Sequence, residues 1–155
     1  MRVGLIALAA MAFAASTAHA TDYYLTSNQG TQALFVDKDT IRDVGSNNKR
    51  YWSVNILAND PKSAYMMVLT EMNCVEQTYR TLNMTAYDDQ AKTVVSFEPD
   101  PKKEFVIPDT GGELQFNIVC KNRLPSENGH FGDMKPLIIR AAMLELLKDK
   151  ADKAK

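Results

Sequence analysis

The stretch YWSVNILA, residues 51–58, has an apolar side chain at every second position from Trp52 to Ala58. Successive side chains of a β-strand point to opposite faces, so this period of two is typical of a strand. One face carries the apolar set Trp52, Val54, Ile56 and Ala58. The other face carries Tyr51, Ser53 and Asn55. The pattern predicts a half-buried β-strand.

Similar patterns lie on both sides of this stretch, and polar turns separate them. They predict further strands at residues 34–36, 64–74, 79–87 and 93–97. The connections are short and rich in turn-forming residues, such as Asn59-Asp60-Pro61 before the second of these strands. Consecutive strands joined by short polar turns favour an antiparallel meander.

The segment after Pro108 fits two structures. Leu114, Phe116, Ile118 and Cys120 alternate with polar residues, as in a strand. The spacing of Thr110 and Glu113, however, is that of a helix capping box. Periodicity alone leaves both structures open for residues 110–121.

Residues 133–155 predict a C-terminal helix followed by a charged tail. Pro136 suits the first helical turn, and the chain is largely apolar from Leu137 to Leu147. A helical projection groups five residues on one face: Ile139, Ala142, Met143, Leu146 and Leu147. Leu137 and Leu144 lie on the other side, so the helix is apolar on more than one face. We expect one face to pack on the domain. We expect the remaining apolar surface to form a homodimer or to make peripheral contact with a membrane. A helix fully covered by its own sheet is the alternative.

The N-terminus has the pattern of a cleaved secretory signal peptide, residues 1–20. Arg2 precedes an apolar stretch, and Ala18-His19-Ala20 has the small residues that a signal peptidase requires. The apolar stretch is shorter than the roughly 20 residues of a membrane span. The residue directly after Ala20 is Thr21 and not a cysteine, so we expect no lipid anchor. The remainder, residues 21–132 with the C-terminal segment, has the length of one domain.

The two cysteines of the chain, Cys74 and Cys120, predict a disulfide bond. Both lie in the exported part, and an even number of cysteines in an exported protein favours pairing. A metal site or a catalytic thiol would require histidine partners, and His130 is the only histidine outside the leader.

Several classes of function find no support in the residues. The formal net charge is −1, and acids surround Lys102-Lys103, so a nucleic-acid partner is not expected. No catalytic residues, metal ligands or cofactor are predicted, because His130 has no recognisable partner and no nucleotide-binding loop is present. Met66 and Met72 would lie about 20 Å apart on one strand, too far to bind one copper ion. We interpret these methionines as core residues.

The order and spacing of several short motifs resemble the surface-adhesin protein E-like family of bacterial envelope proteins. The resemblance extends from about Tyr24 to Lys121. The motifs are Leu34-Phe35-Val36-Asp37, Thr40-Ile41, Tyr51-Trp52, Asn73-Cys74, Tyr79-Arg80, Ala86-Tyr87-Asp88, Val106-Ile107-Pro108 and Val119-Cys120.

The resemblance implies an α+β fold with an antiparallel sheet of about six strands. A helix would lie on the concave face, and the disulfide would join Cys120 in that helix to Cys74. It thereby favours helix for residues 110–121. The type member of the family is a lipid-anchored adhesin that binds host matrix and plasma proteins, and some members dimerise. This chain departs from that pattern because it lacks the lipidated cysteine and adds a helix after Pro136.

These observations predict an exported, non-enzymatic binding protein located in the periplasm or at the cell surface. By resemblance, its partners would be host matrix proteins. The candidate contact residues combine an aromatic ring with cations: Tyr79, Arg80, Lys102 and Lys103. The alternative function is a periplasmic binder of a small hydrophobic ligand, held between the sheet and the terminal helix.

Overall fold

A computed structural model describes residues 21–98 and 102–153, with the side chains of the last helix described as far as residue 147. The predicted leader lies outside the described residues. The strands are β1 Tyr23–Asn28, β2 Gln32–Asp37, β3 Arg42–Gly45, β4 Asn48–Leu57, β5 Tyr65–Asn73, β6 Thr78–Tyr87, β7 Thr93–Phe97, β8 Glu104–Phe105 and β9 His130–Gly132. The helices are α1 Gly111–Lys121 and α2 Pro136–Lys153. Short 3₁₀ turns occupy Lys38–Thr40 and Glu127–Gly129.

The strands form one antiparallel sheet in the order β7-β6-β5-β4-β2-β1-β9, with β3 paired to β4 and β8 paired to β6. The α+β class is therefore confirmed, but the sheet has nine strands and the expectation of six was wrong. The additional strands β3, β8 and β9 have only two to four residues. Such short strands are too brief to show a period of two, and their backbone pairing depends on the longer strands beside them.

Both faces of the sheet carry a buried cluster, because each helix covers a different face. The α1 face buries Tyr51, Val36 and Phe116. The α2 face buries Val54 and Ile139 among the aromatic side chains of β1 and β2. Tyr51 and Val54 are both fully buried. The central strand β4 is thus covered on both faces, and the prediction that it is half-buried was wrong.

The Cys74–Cys120 disulfide joins the end of β5 to α1, as predicted. Two hydrogen bonds hold the same helix to β4: Lys49 Nζ donates to Val119 O at 3.0 Å, and the Tyr51 hydroxyl donates to Gln115 Oε1 at 2.6 Å. Burial raises the pKa of Tyr51, so the hydroxyl stays protonated and remains a donor. Residues 111–121 are helical, so the strand that periodicity left open for this segment is not formed.

A glycine allows the start of α1 to lie directly on β1. A Cβ atom at Gly111 would lie 3.0 Å from Ser27 Cβ and 3.2 Å from the carbonyl oxygen of Thr26. The predicted capping box does not form, because the Glu113 carboxylate accepts a bond from Asp109 N at 2.8 Å instead of Thr110 N, and the Thr110 hydroxyl donates to Ile107 O. The helix ends at Asn122, which adopts the left-handed conformation with φ of 51°.

Helix α2 packs on the sheet through part of the predicted face, while Ala142 and Leu146 of that face are exposed. Ile139 is 1 % exposed and contacts the core together with Met143. Arg140 points the same way, and its Nε donates to the carbonyl oxygen of Leu57 at 3.0 Å. Leu146, expected on the packing face, is 63 % exposed. The helical projection did not anticipate that Arg140 would bind carbonyl oxygens of Leu57 and Ala58 at the end of β4.

Breaking the disulfide is expected to lower the free energy of unfolding strongly. The two cysteines are 46 residues apart, and closing a loop of that length contributes roughly 4 kcal/mol by restricting the unfolded chain. Cys74→Ala with Cys120→Ala should therefore unfold at lower urea concentration. As a control, the unmodified protein in excess reductant should unfold close to the double variant. Unfolding that reductant leaves unchanged would contradict this account.

Candidate functional site

The four predicted contact residues lie at the end of the sheet where β5 turns into β6. Tyr79 and Arg80 are neighbours in β6, so their side chains point to opposite faces. Tyr79 pairs with Met72 and lies on the α1 face, whereas Arg80 pairs with Glu71 and lies on the α2 face. The four residues therefore do not form one flat patch.

Arg80 belongs to a row of charged residues that crosses three strands. Arg50 Nε donates to Glu71 Oε2 at 2.7 Å, and Arg80 NH2 donates to Glu71 Oε1 at 2.6 Å. Arg42 pairs with Arg50 and extends the row onto β3. We call Arg42, Arg50, Glu71 and Arg80 the arginine row. Arg50 and Arg80 bind the Glu71 carboxylate, whereas the Arg42 guanidinium donates to the carbonyl oxygens of Asp39 and Ile41, so the row carries a net positive charge.

The carboxylate of Glu71 is nearly enclosed, while its partners reach solvent. Its side chain is 9 % exposed, compared with 48 % for Arg50 and 39 % for Arg80. Burial acts to raise the pKa of Glu71, but hydrogen bonds from Arg50 and Arg80 outweigh it and hold the pKa below its usual value. Glu71 is therefore ionised near neutral pH and fixes the directions of both guanidinium groups.

The remaining candidates lie beside β8. The Tyr79 hydroxyl donates to Glu104 Oε2 at 2.7 Å, and burial together with this bond raises the pKa of Tyr79 to about 12. Lys103 Nζ donates to Glu76 Oε2 at 2.8 Å, in an ion pair exposed on both sides. Lys102 is exposed. Lys103 and Arg80 line the same shallow depression at the end of the sheet.

Exposed apolar side chains surround this end of the sheet, and the sequence analysis did not identify them. Phe105 is 74 % exposed, Val75 is 70 % exposed and Ile107 is 64 % exposed. Val106, between two of them, packs against the core. Residues 105–107 are all apolar, so the sequence itself does not distinguish the outward side chains of Phe105 and Ile107 from the inward side chain of Val106.

A groove lies on the α1 face, next to the helix. Its volume is about 270 Å³, and its lining comes from the sheet and from Gly112 and Gln115 of α1. Met66, Val68 and Met84 contribute apolar surface to the lining, and Tyr79 contributes its ring. Tyr79 thus belongs to this groove and Arg80 to the opposite face.

His130, the one histidine of the described residues, connects β9 to β1. Its Nε2 lies 2.6 Å from Asp22 Oδ1, and its ring stacks on Tyr24 with centroids 4.6 Å apart. Within residues 21–98 and 102–153, no group of three or more His, Cys, Asp or Glu side chains could hold a metal ion. The contacts of His130 are those of a residue that attaches a short edge strand.

Comparison with known families identifies the domain. The family model for surface-adhesin protein E matches residues 23–121, from the first residue of β1 to the last residue of α1. This chain belongs to the surface-adhesin protein E family. No match was found among curated proteins or among solved structures. The resemblance stated from short motifs is therefore confirmed over nearly the same range. The family match covers the disulfide, the arginine row and the groove, and α2 lies beyond it.

Replacing the buried carboxylate is expected to change how stability depends on pH. A carboxyl group with a depressed pKa stabilises the fold above its ordinary value of 4.5 and loses that effect as the pH falls through its folded value. Glu71→Gln should lower the free energy of unfolding by about 2 kcal/mol near pH 7, because it removes charge-assisted hydrogen bonds. The difference in free energy of unfolding between Glu71→Gln and the unmodified protein should become smaller below pH 4.5.

Urea unfolding at a series of pH values measures this difference. Glu76→Gln is the matched control, since Glu76 also binds a cation but is 52 % exposed, and its curve should stay close to that of the unmodified protein. A difference for Glu71→Gln that is the same at pH 3 and pH 7 would show that the carboxylate charge is not responsible.

Proposed function

We propose that this chain is an exported, non-enzymatic binding protein of the bacterial cell envelope that holds a protein partner at the cationic end of its sheet. Membership of the surface-adhesin protein E family supports an adhesin-like role. The leader pattern of residues 1–20 supports export, to the periplasm or to the cell surface without a lipid anchor. No helix in the described part of the chain is long and apolar enough to cross a bilayer.

The observation that carries the proposal is the composition of this end of the sheet. The centres of protein interfaces are enriched in arginine and aromatic residues, and a few such residues supply most of the binding energy. Here Arg50 and Arg80 stand partly exposed on one face, and Phe105 is exposed at the neighbouring edge. Because Glu71 fixes both guanidinium groups, little side-chain freedom is lost when a partner binds them.

The placement of the contact residues implies how a partner would approach. Tyr79 and Arg80 face opposite sides of β6, and among the residues that the structure describes, the two-residue strand β8 is the one that pairs with β6 outside them at this edge. A partner that contacts both would therefore wrap around the edge formed by β8. Lys102 and Lys103 immediately precede β8 and add two cations along that edge, where Lys103 is paired with Glu76. The resemblance to the family favours host matrix proteins as partners.

Binding to matrix proteins is expected to depend on the cations of this edge. The protein should be immobilised and tested against laminin, fibronectin and vitronectin at increasing salt, with saturable binding expected for at least one of them. Alanine at Arg80, Lys102 and Lys103 should weaken that binding by about tenfold or more, because desolvated interface cations are costly to remove.

The matched control carries alanine at Lys62 and Lys92, two exposed lysines at the opposite end of the sheet. It should bind as the unmodified protein does. Equal binding by all three proteins, or no saturable binding to any of these matrix proteins, would count against the proposal. A turnover of substrate that persists in the pure protein would contradict the non-enzymatic assignment.

Helix α2 supports a second proposal, self-association. Ile138 is 54 % exposed and Leu146 is 63 % exposed, with exposed Ala142 between them at four-residue spacing. Residues at this spacing form a ridge, and two such ridges can interdigitate. In an antiparallel pair centred on Ala142, Ile138 of each copy would meet Leu146 of the other. The small alanine side chains would allow the helices to approach closely.

Sedimentation velocity tests the dimer. The unmodified protein should form dimers at high concentration, and Ile138→Glu with Leu146→Glu should abolish them. Val44→Glu with Leu124→Glu is the control, because these residues are 42 % and 41 % exposed elsewhere on the surface. A protein that is monomeric at every concentration, or loss of dimers in the control alone, would contradict this interface. Binding of the unmodified protein to anionic vesicles would indicate that the ridge contacts a membrane instead.

The alternative function, binding of a small hydrophobic ligand, is not supported at the place first expected. The inner side chains of α2 fill the core cluster, and Ile139 is 1 % exposed. The groove that could hold a small ligand lies on the opposite face of the sheet, beside α1.

A further inference from the structure

Helix α1 covers only part of its face of the sheet. It lies over β1, β2 and β4. On the same face, the side chains of β5, β6 and β7 continue beyond the helix as an apolar surface. Val68 pairs with Met84, which pairs with Phe97 at the edge of the sheet. Phe97 is 41 % exposed. The groove of about 270 Å³ lies where this open surface meets the wall formed by α1.

The floor of the groove is built from adjacent strands rather than along one strand. Met66 pairs with Ala86 and Val68 pairs with Met84, so Met66 and Met84 are diagonal neighbours on the same face. All of these floor residues are partly buried or buried. Methionine side chains adapt to ligands of different shape, which suits a binding surface better than a fixed core.

The walls add hydrogen-bonding groups without charge. Asn55, Thr81 and Gln115 line the groove. Gln115 is held in place because its Oε1 accepts the bond from the buried Tyr51 hydroxyl. None of the twelve lining residues is Lys, Arg, His, Asp or Glu. A charged group that entered the groove would lose water without gaining an opposite charge.

We propose that this groove binds a neutral, mainly apolar small molecule of about fifteen non-hydrogen atoms that carries at most one or two uncharged polar groups. The size follows from the volume, since pockets for drug-sized ligands begin at about 300 Å³. The class follows from the lining, which offers thioether and aliphatic contacts together with amide and hydroxyl groups. The arginine row lies on the opposite face, and Tyr79 is the one proposed partner-contact residue that also lines this groove.

A pair of fluorescent probes with the same aromatic skeleton tests the class of ligand. N-phenyl-1-naphthylamine is neutral, and 1-anilinonaphthalene-8-sulfonate adds one negative charge. The neutral probe should bind the purified protein saturably at one site, with increased and blue-shifted emission. The sulfonate should bind at least about tenfold more weakly, because no lining cation compensates its desolvation. Equal affinities for the two probes, or no saturable binding of the neutral probe, would overturn the proposal.

Adjacent residues of β6 supply the matched variants that test the location. Met84→Trp places a larger side chain in the groove, and Thr85→Trp places it on the opposite face of the same strand. Met84→Trp should lower the affinity for the neutral probe by about tenfold or more. Thr85→Trp should leave that affinity within about twofold of the value for the unmodified protein.

Thr81→Trp is the second variant, in case Met84→Trp fails to fold as judged by circular dichroism. Thr81 also lines the groove, so the same loss of affinity is expected. Unchanged affinity in a folded Met84→Trp or Thr81→Trp protein would place the probe elsewhere and overturn the assignment. An equal loss in Thr85→Trp would overturn it as well, because the effect would then not depend on the face.

Discussion

The covalent attachment of α1 to the end of β5 is the constraint on which the functional surfaces depend. A helix of eleven residues could slide along a sheet that offers it only apolar contacts. The Cys74–Cys120 bond fixes one end of α1, Gly111 allows the other end to touch β1, and Tyr51 fixes the middle through Gln115. Because the helix is held over β1, β2 and β4, the apolar surface of β5 to β7 remains open beside it.

At the end of the sheet where β5 turns into β6, the two faces of the sheet therefore carry different chemical groups. On the α1 face, neutral polar and thioether groups surround a groove that contains no ionised side chain. On the α2 face, Glu71 organises the arginine row and is itself almost removed from solvent. Successive side chains of β6 point to opposite faces, so the neighbours Tyr79 and Arg80 lie in the two different environments. This separation allows one small domain to present two surfaces of different specificity.

Much of the sheet could be predicted from the sequence, and the failures have physical causes. The alternation at Tyr51 to Ala58 correctly predicts β4, but periodicity cannot tell that helices cover both faces. Strand β1 was missed because Tyr23 and Tyr24 are consecutive aromatic residues that are both buried, one on each face. The opposite directions of Tyr79 and Arg80 followed from the predicted strand, whereas the exposure of Phe105 depends on the pairing of β8 with β6, which is long-range. The resemblance to the family, rather than the pattern, decided that residues 111–121 are helical.

The edge strand β7 has a consequence for how the protein behaves at high concentration. Every residue of β7 is exposed, and none of residues 93–97 is charged, so the edge could recruit strands of other molecules and start aggregation. A bulge interrupts it, because Val95 pairs with Ala86 and Thr93 pairs with Tyr87, which leaves Val94 without a partner. The regular part of the edge is thereby reduced to Val95–Phe97, too short a template for lateral growth. The bulge thus limits the length of exposed edge with which a strand of another molecule could pair.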